Sequence, residues 1–456
     1  EDWIGQAKDS VVEWNDTRFH LLQAFVEDRG QLEVTIEDSR VDEISRGQEL
    51  GMGLTAVEGR NTHFSSFSDS TTCNEEIQKS VETLQLSVEE NSPDWTAPDE
   101  RQWEIEKLPS LTPEQKKMDR LLEADTVARE YDSRIEQVHI RYRERLRTIA
   151  VIDRDGWIRV EPQVLTNLNV TVIAVEEDRR EKGYGRLAGY AGEELFDDRP
   201  PVEVAEKAAD QAITAMGAKP VEAGPQTVVI GAGFGGTIFH EACGHGFEAD
   251  HIFEEVSTYA GKMGENVASE DVTFVDDSSL PGLYGSFQMD DEGTNTGRNL
   301  LIEEGTMRSM MTDRKHAALL DIEPTGNGRR QSFRYPVLPR MTNTFIESGN
   351  DSKQNLIEDT EEGIYAREIG GGQVDPASGD FIFSISEGYR IENGNITEPI
   401  RDAALVGNGP KVLQRIDGVA DDLELTPGVC GKGQWVPVSV GQPTLRVREL
   451  TVGGDQ

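Results

Sequence analysis

His240, Glu241 and His245 stand in the run HEACGH, two imidazoles flanking a carboxylate. Three of the chain's seven histidines (His240, His245 and His251) fall within twelve positions. Imidazole is a common ligand for divalent metals, and a Glu directly after the first histidine is what a zinc peptidase uses as its base. In the usual H-E-x-x-H pattern the histidines are four apart and share one helix face. Here they are five apart, so at about 100° per residue they diverge by about 140° on an ideal helix. Both reach one ion only where the helix is unwound or overfilled, as in a π-bulge, and Gly244 makes such a distortion cheap. The expectation is a distorted metal-binding helix.

Catalytic zinc takes a third protein ligand and keeps one position open. His251, Glu265, Glu270, Cys243 and Cys430 are all available, and spacing does not choose among them. Cys243, between the histidines, reads as a small packed hydrophobe. Cys430 lies in TPGVCGKGQW, a Gly-flanked loop able to present a thiolate.

The same stretch carries a rival signal. Gly231, Gly233 and Gly236 form G-x-G-x-x-G between a strand-like and a helix-like segment, the layout of a dinucleotide turn and hence of a nucleotide-binding oxidoreductase. No βαβ repeat surrounds it, and the supposed helix is filled with His, Glu, Cys and His. The glycines read better as a sharp strand-to-helix turn that leaves room above a metal.

The surrounding elements must position these residues. Residues 32–58 alternate apolar and polar as strands do, and 74–89 have helical spacing. Asn91 to Pro109, with three prolines, is the expected linker. A helix opens after Leu111, with Thr112 as cap, Pro113 in the first turn and Gln115 completing a capping box. Strand alternation returns over 135–177 with Asp155-Gly156 as a hairpin turn, then Val202–Met216 forms an amphipathic helix ended by Gly217 and Pro220. Beyond Thr227 the chain is mainly strands and turns. The reading is α+β in three segments, 1–108, 109–220 and 221–456.

Composition narrows the setting. Three cysteines (Cys73, Cys243, Cys430) are too few for a disulfide framework, no apolar run reaches the roughly 18–20 residues of a membrane span, and the acidic amino terminus is no secretory signal. With no initiator Met, the chain is read as starting after a few trimmed residues. These features imply a cytoplasmic protein. A net charge of −40 argues against nucleic-acid or anionic-membrane partners. Lysine supplies only 13 of the 45 basic residues, and so acidic and Lys-poor a surface suggests a high-salt cytoplasm, where charge is screened within about 3 Å at 1 M.

An ordered series of motifs then points to a family. HEACGHGFEAD, DDEGTNTGRNLLIEEG, PTGNGRRQSFRYPVLPRMTN, GIYAREIGGGQVD, SGDFIFSISEGYRIENG and VCGKGQWVPVSVGQPTLRVRELTVGG resemble the successive motifs of the TldD/PmbA family of intracellular metalloproteases. The resemblance runs almost unbroken from Thr227 to Gly454 and more loosely back to about residue 32. It implies Zn2+ held by His240, His245 and Cys430, with Glu241 as general base. It also implies a TldE/PmbA-like paralogue without the metal motif as partner, and unfolded or extended peptides cleaved inside an enclosed cavity. The implied fold has an amino-terminal α/β region, a central strand-and-helix region and a carboxy-terminal β-rich domain carrying the metal helix. Cys243 departs from the pattern and leaves a second thiol near the metal.

On this reading a thiolate–zinc bond ties the carboxy-terminal strands to the metal helix. Arg329, Arg330 and Arg340 are the candidates for stabilising the oxyanion, against a salt-bridge role, and the GGGQVD segment with Gly371 and Gly372 is either an edge for an extended peptide or a tight turn. The alternative is a non-catalytic, zinc-stabilised scaffold or adaptor, against which Glu241 argues, since a structural site needs no base.

Overall fold

A computed structural model describes residues 19–68 and 105–453; the helix expected over 74–89 and most of the expected linker lie outside them. Six antiparallel strands build the first sheet: β1 (Leu21–Glu37), β2 (Arg40–Glu58), β3 (Asn61–Phe67), β4 (Ile135–Asp153), β5 (Ile158–Glu176) and β6 (Arg179–Gly189). Their order is β3-β2-β1-β4-β5-β6. The sheet therefore runs across the boundary expected at 108/109, because β1 pairs with β4 from Gln23↔Asp153 to Glu37↔His139. The strands alternate as the sequence does, with Val138, Ile140 and Tyr142 facing one side.

Two helices cover that side. α1 (Glu114–Tyr131) contributes Leu121, Ala124 and Ala128, and α2 (Pro201–Met216) contributes an Ala-rich stripe to the shared core. α2 lies directly on β6: a Cβ at Gly183 would meet the Ala208 carbonyl oxygen at 1.8 Å, and one at Gly185 the Val204 carbonyl at 2.2 Å. The expected capping box is absent. Pro113 takes the cap position without a side-chain bond, Thr112 stays extended, and Gln115 turns instead to Asp119. The Asp155-Gly156 turn is present, with Gly156 at φ 82°.

The carboxy-terminal body holds two mixed sheets around one core. The larger contains β7 (Gly224–Ile230), β10 (Glu362–Val374), β11 (Asp380–Glu392) and β14 (Leu445–Gly453). The smaller contains β8 (Phe274–Asp277), β9 (Asn343–Ile346), β12 (Glu424–Gly431) and β13 (Trp435–Gln442), with β12 last in its order. Between them sits α3 (Gly236–Ala242), burying Ile238, Phe239 and His240. A separate cluster of Phe25, Ile149, Val151, Met289 and Phe333 docks the first sheet onto this body. Strands and helices are thus mixed as expected, with strands predominating. Among the described residues no helix is long and apolar enough to cross a membrane.

Candidate metal centre

The strand-to-helix turn is built from the glycines that suggested a nucleotide. Gly233 sits at φ 96°, which only glycine adopts without strain. A Cβ at Gly236 would lie 2.5 Å from the Gly441 backbone nitrogen, so α3 presses against β13. A Cβ at Gly231 would likewise meet the Arg367 carbonyl at 2.7 Å, so these glycines serve close packing of the chain on itself. β7 is flanked by parallel β10 and antiparallel β14, not by the next strand of a βαβ unit.

α3 solves the five-residue spacing by stopping. The α-helix ends at Ala242, Cys243 takes a non-helical conformation (φ −128°, ψ −50°), and a 3-10 turn over Gly244–Phe247 carries His245. The distortion is a break rather than a π-bulge. Gly244 serves by absence of bulk: a Cβ there would meet Met341 Sδ at 2.3 Å.

The break turns both imidazoles to one point. Ligand atoms of His240, His245 and Cys430 all lie within 4.8 Å of one another, and all three residues are buried. Cys430 Sγ is 3.5 Å from His245 Nε2, and the two rings are 5.6 Å apart at 77°. Among the described residues neither nitrogen of His240 has a hydrogen-bond partner, although the side chain is buried. Two unpartnered buried nitrogens are costly unless an ion takes them up. The cluster of two imidazoles and a thiol thus has the donor chemistry and the unmet demand of a metal site.

Electrostatics couple the thiol and the imidazoles into one charged cluster. Burial alone would push the Cys430 thiol up, but His245 and His240 hold it well below the usual thiol range. Burial disfavours a charged His245, yet Glu248 and Cys430 hold its pKa well above the ordinary value. Glu241 lies at the rim with 26 % of its side chain exposed, its Oε2 3.6 Å from His245 Nε2.

The other candidates separate cleanly. Cys243 is packed in the core, its thiol pushed up to about 12 by burial, and it is not part of the ligand cluster. Glu265 and Glu270 are exposed and outside it. His251 turns its Nδ1 to the His245 carbonyl at 2.8 Å. The three arginines are buried and engaged in holding the chain. Arg329 donates to the Met341 carbonyl and lies over Phe287, Arg330 lies over Phe25, and Arg340 donates to the carbonyls of Cys430 (2.8 Å) and Gln434 (3.0 Å). Gly371 and Gly372 lie on β10, away from the cluster, where Gly372 pairs with Phe383.

Sequence reasoning passed over Glu248 and Lys432. Glu248 is fully buried and 2.9 Å from His245 Nδ1, while Lys432 Nζ is 2.9 Å from the same carboxylate and 2.7 Å from Asp250. The available signals were Glu248 three residues after a ligand histidine and Lys432 two after Cys430.

Comparison with known proteins shows the family. Residues 223–454 match the PmbA/TldA metallopeptidase C-terminal domain, 106–216 the central domain and 23–87 domain 1. A Haemophilus influenzae protein named metalloprotease TldD homolog is 38% identical over 433 residues, 92% of this chain and 90% of that protein. A Saccharolobus solfataricus protein named zinc metalloprotease TldD homolog is 37% identical over 238 residues, 51% of this chain and 52% of that one. The crystal structure of TldE from Thermococcus kodakarensis has the same fold, with a TM-score of 0.77 at 18% identity, covering 98% of this chain and 100% of that one. Fold, site and relatives together define a metallopeptidase, a hydrolase of peptide bonds. The chain belongs to the PmbA/TldA (TldD/PmbA) metallopeptidase family.

Proposed function

We propose that the chain is a zinc-dependent peptidase acting in the cytoplasm on unfolded or extended peptides, with His240, His245 and Cys430 holding the ion and Glu241 as general base. One observation carries the reading. Three buried donors, His240, His245 and, 185 positions after His245, Cys430, converge, and among the described residues His240 has no hydrogen-bond partner for either nitrogen. Zinc, when bound, supplies a Lewis acid and lowers the pKa of a water toward about 7. Glu241, partly exposed beside the cluster, takes the proton of the attacking water on its carboxylate and returns it to the leaving amine.

The strand edges support the substrate class. Among the described residues β12 pairs only with β13, and it carries Cys430 near its end. A groove of about 510 Å³ runs past the Glu424–Pro427 end of this strand, bounded by Phe234, Glu368, Gly371, Ser384 and Leu425 and not lined by the metal cluster or Glu241. A Cβ at Gly371 would meet nothing within 4 Å. An extended peptide laid there gains main-chain hydrogen bonds that do not depend on its sequence.

Family resemblance adds a TldE/PmbA-like paralogue as partner. The test is zinc content of the purified chain, with cleavage of an unfolded protein by the chain alone and copurified with that paralogue. One zinc per chain, and cleavage mainly by the mixed complex, are expected. A metal-free chain, or a loaded complex inert toward unfolded protein, would overturn the reading in favour of a scaffold.

A further inference from the structure

The two ligand histidines are not held alike. Among the described residues His240 has neither ring nitrogen partnered, whereas His245 has a buried carboxylate on Nδ1, Glu248 Oε2 at 2.9 Å. With a carboxylate as acceptor that bond needs the proton on Nδ1, so in the neutral imidazole that binds metal the lone pair is on Nε2, the nitrogen 3.5 Å from Cys430 Sγ. A carboxylate behind a ligand imidazole fixes its tautomer and ring plane and makes it a better donor.

Glu248 is itself fixed, and from the other ligand strand. Lys432, two residues past Cys430, puts its Nζ 2.9 Å from Glu248 Oε2 and 2.7 Å from Asp250 Oδ2. Arg340, which holds the Cys430 carbonyl at 2.8 Å, places its Nε 4.0 Å from Glu248 Oε1. One fully buried carboxylate therefore joins the 3-10 turn of His245 to the end of β12. Glu248, Asp250 and His251 could together hold a cation, but the Lys432 ammonium already lies against two of them.

We infer that Glu248 is the positioning residue of this metal centre, and that Lys432 acts through it. The pair presets His245 and Cys430 as a two-donor half-site, and His240 completes coordination when metal arrives. This rests on the zinc reading above and adds a role to two residues that touch neither metal nor substrate.

The experiment uses the full-length chain. Zinc affinity is measured by chelator competition, and the cobalt-substituted protein is examined by its visible spectrum, which reports ligand geometry without any turnover. Glu248→Gln is expected to weaken zinc by about 10–100-fold and to alter the cobalt bands. Lys432→Met should weaken zinc in the same direction, and Lys432→Arg should restore most of it. The Glu248→Gln/Lys432→Met double variant should lose less than the product of the two single losses, as for residues acting through one contact. If Glu248→Gln does not fold, Lys432→Met and its Arg rescue decide alone. His240→Ala and Cys430→Ser serve as reference variants. Should these keep zinc, the ligand assignment itself is wrong. If they lose zinc while Glu248→Gln and Lys432→Met bind within twofold of the unmodified chain with unchanged cobalt spectra, the ligand assignment stands and the positioning role is overturned.

Discussion

Cys430 Sγ and His245 Nε2 lie 3.5 Å apart across 185 positions of chain, held there by contacts that involve no metal. Arg340 grips the Cys430 carbonyl, Lys432 grips Glu248, and β12 pairs with β13 from Glu424↔Gln442 to Gly431↔Trp435. The sequence alone suggests that a thiolate–zinc bond does this tying. The geometry predicts instead that chelating the metal leaves protected those amides of 424–431 that face β13. Hydrogen exchange on zinc-loaded and zinc-stripped protein is the check, and a local loss of protection at Val429–Lys432 would restore the metal as the main tie.

Glu241→Gln is expected to keep about one zinc per chain and to lower peptide cleavage by about 10²–10⁴-fold, the usual contribution of a positioned base. The amide keeps the side chain's shape at the rim but does not take up a proton. Metal analysis and cleavage rate on one preparation test it; zinc lost along with activity would make Glu241 a ligand.

Cys430→Ser should lower zinc affinity sharply, because a hydroxyl is a poor ligand and hard to deprotonate. Cys243→Ser should retain the metal and cost roughly 1–3 kcal/mol of stability, since its hydroxyl enters a packed core. Glu265→Gln and Glu270→Gln, both exposed, should bind zinc as the unmodified chain does. Zinc content after dialysis against a weak chelator ranks the four.

Glu161 gives a pH signature far from the metal. It is buried where β5 meets the 288–289 segment, accepting from the backbone amides of Gln288 and Met289, both at 3.1 Å. Burial outweighs these bonds and pushes its carboxyl up to about 7. Between the ordinary Glu value of about 4.3 and that folded value, the folded chain binds the proton more tightly than the unfolded chain. Its contribution therefore lowers unfolding free energy as pH rises through this window, and the fall ends above it. Melting midpoints between pH 4.5 and 8 should fall less steeply in Glu161→Gln than in the unmodified chain. Identical slopes would show that Glu161 is charged in the fold.

The net charge of −40 predicts a salt response. Screening shortens from about 10 Å at 0.1 M to about 3 Å at 1 M, which relieves self-repulsion more than it weakens exposed ion pairs of small individual worth. The melting midpoint should rise by several degrees between 0.1 and 2 M KCl. A chain indifferent to salt would remove the halophilic reading.

What could be read from sequence was what local spacing governs. Alternation gave the strands of the first sheet, and His240, Glu241 and His245 announced a site that needed a broken helix. Cys430 as third ligand came from the family resemblance, because spacing alone did not choose it over the other candidates. Two things depended on tertiary contact and stayed hidden. The sheet crosses the 108/109 boundary because β1 and β4 share register, and nothing within either segment encodes that pairing. Glu248 looked like one acidic residue among 85 acids, and only its burial and the Lys432 contact give it meaning. Thr112 and Gln115 had the residue types of a capping box, yet the chain enters α1 extended through Pro113 and leaves them apart.

The loop from Gly328 to Met341 touches both ends of the molecule's business. At one end Phe333 fills the place a Gly51 side chain would take, its amide donates to Glu27 on β1, and Arg330 lies on Phe25. At the other, Arg340 clamps the Cys430 carbonyl. The first sheet is therefore a mould for the loop that holds a candidate metal ligand. A fragment starting near residue 221 would keep every chemical group of the site but leave Phe333 in water and Arg330 without its ring. Dissecting this chain to find a minimal catalytic piece would then measure the loss of a template, and inactivity of such a piece would say nothing against the chemistry it carries.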